Sequence, residues 1–196
     1  MSSPRTIIFV DGENLVLRYQ SMLAAGKAAS DKVSHMPDIF AWHPTITEWC
    51  LLDIARVYFY SSVVGDDQKL AETKATVAKT IFSFEPEKGV DGSAQIVPVI
   101  FKKRAKSHKS RQVDIQITLD MMRFAQNPSI DLLYLVSGDG DYLPVIQEVM
   151  RLGNEVYVAA LSSGLSPELR YSVDEFYDLD PVFFPPVKVG LNESKN

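Results

Sequence analysis

Four aspartates stand where a parallel α/β chain would bring them together: Asp11, Asp114, Asp139 and Asp141. Asp11 ends the apolar run TIIFV at residues 6–10. Asp139 and Asp141 lie in Ser137-Gly138-Asp139-Gly140-Asp141, directly after the run DLLYLV at 131–136. Asp114 falls near the start of an amphipathic stretch that follows a basic loop. In parallel sheets the ligand crevice lies outside the carboxyl ends of the strands. Carboxylates from two strand ends and one helix start would then share it. Such a cluster is costly unless a cation neutralises it. Oxygen donors with no cysteine or histidine nearby favour Mg²⁺ or Mn²⁺ over zinc. An ion of that kind can activate water for attack on phosphorus and neutralise charge on the leaving oxygen. Gly138 and Gly140 are expected to let the chain turn sharply and aim both neighbouring carboxylates into the crevice.

Each aspartate alone has a plainer reading as a helix cap or a partner of the helix dipole. It is their joint occurrence at compatible places that capping does not explain. Asp120 lies about 120° around the helix from Asp114, so it is not expected to share the ion. Asp66 and Asp67 follow another strand, and capping of the next helix is the favoured reading there.

The chain has 20 basic and 25 acidic residues, a net charge of −5. The basic residues are unevenly spread. Residues 102–111 read KKRAKSHKSR, with six Lys or Arg and no acid, which leaves 14 basic residues against the 25 acids elsewhere. This loop leads into the stretch that carries Asp114. Lys102, Lys103, Arg104, Lys106, Lys109 and Arg111 are therefore candidates to hold a polyanion beside an acidic centre.

Apolar runs alternate with amphipathic stretches, the pattern of a parallel α/β sheet. Strands are expected at 6–10, 55–60, 95–101, 131–136 and 155–160. Pro98 cannot donate to a ladder and places the third of these at an edge. Helices are expected at 14–23, 45–52, 66–84, 112–125, 141–152 and 166–176. Ile115, Leu119 and Met122 are read as the buried stripe of the 112–125 helix. Residues 24–46 read as an irregular insertion. The chain is expected to be a single domain over 1–180 with a tail over 181–196. The apolar stretch at 182–186 is expected to cover its own domain; docking onto a partner or a second copy, and so a homo-oligomer, is the other reading.

A length of 196 residues and a hydrophobic fraction of 46% suit a packed core. No apolar run approaches the roughly 20 residues that cross a bilayer. The first apolar run is too short for a secretory signal, so a cytoplasmic location is expected. Cys50 is the only cysteine; it is read as a core residue, and no internal disulfide or thiolate zinc site can form.

The blocks FVDGEN, VDIQITLDMM and LLYLVSGDGDYLPVIQEVMRLGNEVYVAAL, in that order, resemble the NYN domain family, which includes the LabA-like proteins of bacteria. The resemblance runs from about residue 5 to 178. It implies a PIN-like three-layer fold, a mostly parallel sheet of about five strands flanked by helices. It also implies metal-dependent ribonuclease chemistry on RNA, single-stranded or looped more than duplex. Asp11, Asp114, Asp139 and Asp141 match the family's acidic positions. Asn14 matches the asparagine of the first motif and Ser137 the serine before the acidic turn. The family often has Lys-Gly before the Val-Asp of its second motif; here Arg111-Gln112 precede Val113-Asp114. One rival is a catalytically silent RNA-binding or regulatory module of the same fold. Another is a small-phosphoester phosphohydrolase, with Asp11 as nucleophile and Glu13 as its acid.

Overall fold

The computed structural model describes residues 3–103 and 111–186. A six-stranded parallel sheet runs through its middle. Strand β1 (Arg5–Asp11) lies at the centre; β4 (Asp53–Val64) and then β7 (Val97–Lys103) lie on one side, and β8 (Leu132–Val136), β9 (Glu155–Ala160) and β10 (Glu175–Asp178) on the other. The strand order therefore reverses between β1 and β8. Crevices form at such reversal points. The aspartates of β1 and of the loop after β8 project from this one.

Both faces of the sheet are buried at its centre, so β1 from Ile7 to Val10 and all of β8 are apolar at every position rather than at alternate ones. On one face Ile8 and Val10 of β1, with Leu132, Tyr134 and Val136 of β8, pack on Leu15, Tyr19 and Met22 of α1 (Gly12–Ala24). On the other, Ile7, Phe9, Leu133 and Leu135 pack on α4 (Gln112–Ala125) and α5 (Leu143–Arg151). Asp11 continues the Ile7–Phe9 side, which is why it meets residues of α4 and of the turn leading into α5. Pro98 pairs with Phe59 on the outermost strand, as its missing donor requires.

Gly12 opens α1 where the helix passes closest to β4. A side-chain carbon there would clash with the Phe59 ring and lie 2.7 Å from the Tyr60 carbonyl oxygen. The ring can shift, but the carbonyl is fixed in the sheet. Gly12→Ala should therefore cost about 1–3 kcal/mol, read as a lower urea midpoint at unchanged slope. An unchanged midpoint would show that α1 can be displaced freely.

Several elements differ from the sequence reading. The helix expected over 66–84 stops early: α3 spans Asp67–Ala78, and a hairpin follows, β5 (Ile81–Glu87) with β6 (Val90–Gln95). Gly89, at φ 81°, makes its turn. The helix expected over 166–176 is a short 3₁₀ turn at Pro167–Tyr171 followed by β10, so the sheet gains a sixth strand. Within α4 the buried stripe is Val113, Ile117 and Met121, while Ile115 and Leu119 are 56% and 46% exposed. The segment read as an irregular insertion carries a small hairpin, β2 (Ser34–Met36) with β3 (Phe40–Trp42), and buries Phe40, Ala41 and Trp42. A single helical turn, α2 (Thr45–Glu48), follows it. Beyond β10 the turn α6 (Asp180–Phe183) packs Phe183 and Phe184 into the core beside Tyr19, so this part of the tail covers its own domain. Cys50 is partly buried against the core, and burial pushes its thiol up to about 12. No helix among the described residues is long and apolar enough to cross a membrane.

Candidate active site

Asp11 is both a cap and the deepest group of the crevice. Its Oδ1 accepts the Asn14 backbone N–H at 3.0 Å, closing the first turn of α1. Its Oδ2 accepts the hydroxyls of Ser137, at 3.1 Å, and Tyr142, at 3.2 Å. The same tyrosine hydroxyl lies 3.3 Å from Asp114 Oδ1, so one oxygen stands between two carboxylates. Asn14 and Ser137 stitch the two strand ends together. The Asn14 side-chain oxygen accepts the Gly138 N–H at 3.2 Å, and Ser137 Oγ accepts the Asp139 N–H at 3.2 Å. Asp139 in turn accepts the Asp141 N–H at 3.0 Å, which makes Asp139 rather than Asp141 the cap of the next turn. Asp141 is exposed and Asp139 half-buried, so the two form the open rim.

The charges of these groups act on one another. Burial, with the nearby Asp114 charge as a smaller contributor, raises Asp11 from an ordinary 3.8 to about 7, against its three hydrogen bonds. Burial raises Asp114 as well, helped by the charges of Asp139, Glu13 and Asp141. Asp114 is thus the hub: every other acid of the group acts on it or is acted on by it. Burial first, and then the charges of Asp11 and Asp114, push the Tyr142 hydroxyl far above its usual range, so it remains a proton donor.

The glycines of the acidic turn do not have the role expected of them. Neither Gly138 nor Gly140 adopts a positive φ. They are small because the 164–166 loop crosses tightly: a side-chain carbon at Gly138 would lie 3.2 Å from Leu165 Cα, and one at Gly140 2.8 Å from Ser166 Oγ.

Two residues that the sequence reading left outside the aspartate centre belong beside it. Tyr142 looks like a core aromatic in the sequence, and only the fold reveals its hydroxyl. Glu13, considered earlier only as the acid of a phosphohydrolase, bonds Ser62 and forms an ion pair with Lys103 at 2.6 Å. Its position one residue before Asn14 in the first turn of α1 was the available signal. The basic candidates separate. Lys103 is held at the rim by Glu13, Lys102 pairs with Asp67 at 2.7 Å, and Arg111 is the exposed residue preceding α4. Arg104, Lys106 and Lys109 lie outside the described residues. Asp120 bonds the Tyr60 hydroxyl, Gln116 and Arg123, away from the cluster. Asp66 caps α3.

The donor chemistry fits a hard divalent cation. It is all oxygen, negative, and partly neutralised by protons and a tyrosine hydroxyl. Among the described residues no three carboxylate, histidine or cysteine side chains already converge as a ligand set. Asp11 and Asp114, joined through Tyr142, are the inner pair that would hold the ion.

A doubly wound parallel domain with an acidic crevice at its reversal point is the class that fold and site define. The chain belongs to the NYN domain family, whose profile matches residues 5–180, and that family groups with the PIN-like nucleases. An uncharacterized protein of Methanocaldococcus jannaschii is 32% identical over 62 residues, or 32% of this chain and 26% of that protein. The chain thus matches only about a quarter of that relative's length. A crystal structure of a Vibrio parahaemolyticus protein of unknown function shares the fold, with a TM-score of 0.58 and 19% identity, over 92% of this chain and 96% of that one.

Proposed function

We propose that the protein is a cytoplasmic, divalent-metal-dependent ribonuclease that hydrolyses phosphodiester bonds in single-stranded or looped RNA. The observation that supports this reading is the Tyr142 hydroxyl shared by Asp11 and Asp114 at the strand reversal, with the charges of Asp139 and Asp141 acting on Asp114. Mg²⁺ or Mn²⁺, when bound, supplies charge neutralisation at the phosphate and acidified water. Asp11 and Asp114 are the residues that would hold it. Tyr142 fixes the spacing of that pair and stabilises it in the ionised form. Asp139 and Asp141, at the open rim, would add further oxygen donors or take a proton from water. Asn14 and Ser137 keep the two loops in register. Lys102, Lys103, Arg104, Lys106, Lys109 and Arg111 draw in the RNA backbone.

The test is cleavage of a labelled, partly looped RNA with Mn²⁺, Mg²⁺ or EDTA. Cleavage is expected in metal and not in EDTA. RNA binding without cleavage in any metal would instead establish the silent binding module. Binding should also weaken steeply with salt, since each phosphate neutralised contributes a log–log slope of about −0.7 on single strands. A flat salt response between 50 and 200 mM would remove the basic loop from the RNA path. Tyr142→Phe should fold normally and cut about tenfold more slowly or worse, because hydrogen bonds to charged groups are worth about 1.5–3 kcal/mol. Full activity in that variant would mean that the inner pair needs no bridge.

A further inference from the structure

A cleft of about 460 Å³ opens beside the acidic crevice, a size within the roughly 300–1,000 Å³ of small-molecule sites. One wall is the outer side of α1, where Leu17 is 58% exposed; the facing wall is the end of β4, where Val64 is 40% exposed. Pro37 and Ile39 close the third side. Apolar side chains exposed on two elements that line one cleft give a ligand apolar surface to cover.

The third wall is fixed in place by a local lock. Asp38, at φ 60°, is the only non-glycine residue with a positive φ among the described residues. Its N–H donates to Gln20 Oε1 at 2.7 Å, and its Oδ1 accepts from Gln20 Nε2 at 3.0 Å. The turn that carries Pro37 and Ile39 is thereby tied to α1. A strained residue held by such a clamp keeps a wall pre-formed, which lowers the ordering cost of binding.

Gln20 and Asp38 line the third wall of the cleft, and its other polar groups lie elsewhere. Ser62, Glu13 and Lys103 lie at the end that adjoins the acidic cluster, and Glu13 also acts electrostatically on Asp114. Lys69, in the first turn of α3, is an exposed cation at the mouth with no ion pair among the described residues. Aliphatic walls, the hydrogen-bonded Ser62, Glu13 and Lys103 at the inner end and the Lys69 ammonium at the mouth match a flat base, a ribose whose hydroxyls can donate to Glu13, and a flanking phosphate. Bases extruded from a stack are held in this way between apolar side chains.

We propose that this cleft is a nucleoside subsite that takes the base and ribose of the RNA residue next to the phosphate at the acidic cluster, with Lys69 on the following phosphate. The proposal rests on the nuclease reading for its substrate, and its test separates the two. The four 5′-nucleoside monophosphates are added in turn to the ¹⁵N-labelled protein in Mg²⁺. At millimolar concentration they should shift the amides of Leu17, Ser62 and Val64, and Leu17→Glu and Val64→Glu should abolish those shifts while melting within a few degrees of wild type. In cleavage of a short single-stranded RNA the same two variants should raise KM about tenfold and largely retain kcat. Lys69→Ala should give a smaller rise that disappears at high salt. Cleft shifts in a protein that cuts no RNA would keep the subsite and overturn the nuclease reading. Cleavage with unchanged KM in both glutamate variants, and no nucleotide shifts at the cleft, would overturn the subsite and keep the nuclease.

Discussion

Asp11→Asn should raise the melting temperature of the metal-free protein at pH 7.5 by several degrees while abolishing the proposed cleavage of RNA. The reason is the cost of keeping a charge at that position. Burial raises Asp11 from 3.8 to about 7, so the folded protein holds a proton that the unfolded chain releases at lower pH. The sign follows from linkage. Where the unfolded state binds fewer protons, stability falls as pH rises. The contribution is whole below about pH 3.8 and is lost progressively until about pH 7. The full difference corresponds to at most roughly 4 kcal/mol, at about 1.36 per pH unit. For a domain of this size each kcal/mol is worth about 2–4 °C. Asparagine can still accept the Asn14 N–H and pays no ionisation cost. Melting curves of both proteins in EDTA from pH 4.5 to 8 test this: the gap should be small at pH 4.5 and widen toward neutrality. A gap that stays constant with pH would place its origin in packing, and lower stability of the variant at pH 7.5 would show that the charge is compensated. Mg²⁺ or Mn²⁺ should close the gap by stabilising the wild type alone, because only a ligand bound to the folded state raises its stability.

The same residue shows how much could be read from the chain. Strands β1, β8 and β9 were legible because a strand buried on both faces is an unbroken apolar run ending in a polar turn. With their order known, Asp11 and Asp139 had to meet at the carboxyl edge. Residues 79–95 were harder. Ile81 and Phe84 continue the helical spacing of α3, yet they stand on a hairpin whose signals, Pro86 and Gly89, lie beyond them. In α4, two apolar stripes with nearly the same spacing compete. Periodicity cannot choose between Val113–Ile117–Met121 and Ile115–Leu119–Met122; only the sheet decides. That choice also sets Asp114, which follows the buried Val113 and so comes to lie at the margin of the core. Tyr142 was invisible for the opposite reason. Its ring is core, and its function lies in one oxygen whose partners come from β1 and α4. A side chain that bridges distant segments leaves no local pattern.

Asp114→Asn is the second large effect, and it moves activity and binding in opposite directions. Asp114 feels the charges of Asp139, Glu13 and Asp141 and itself raises Asp11. Removing its charge takes away one of the two inner groups proposed to hold the cation, so the proposed cleavage should fall by on the order of a hundredfold or more, the scale for losing a single electrostatic contributor. The neighbours respond as well. With Asp114 neutral, Asp11 gains a proton less readily and its value moves down from about 7 toward the ordinary range. The crevice is then less negative toward a polyanion, so RNA affinity in EDTA should be equal to or tighter than that of wild type. A structural collapse would weaken both, and a residue that only caps α4 would change neither by more than a fewfold, since a charge near a helix N-terminus is worth about 0.3–1 kcal/mol. Paired measurements on one preparation, cleavage in Mn²⁺ and RNA affinity in EDTA, therefore separate three roles for this carboxylate. Loss of cleavage with retained or improved binding is the outcome that its place between Asp11 and the rim aspartates requires.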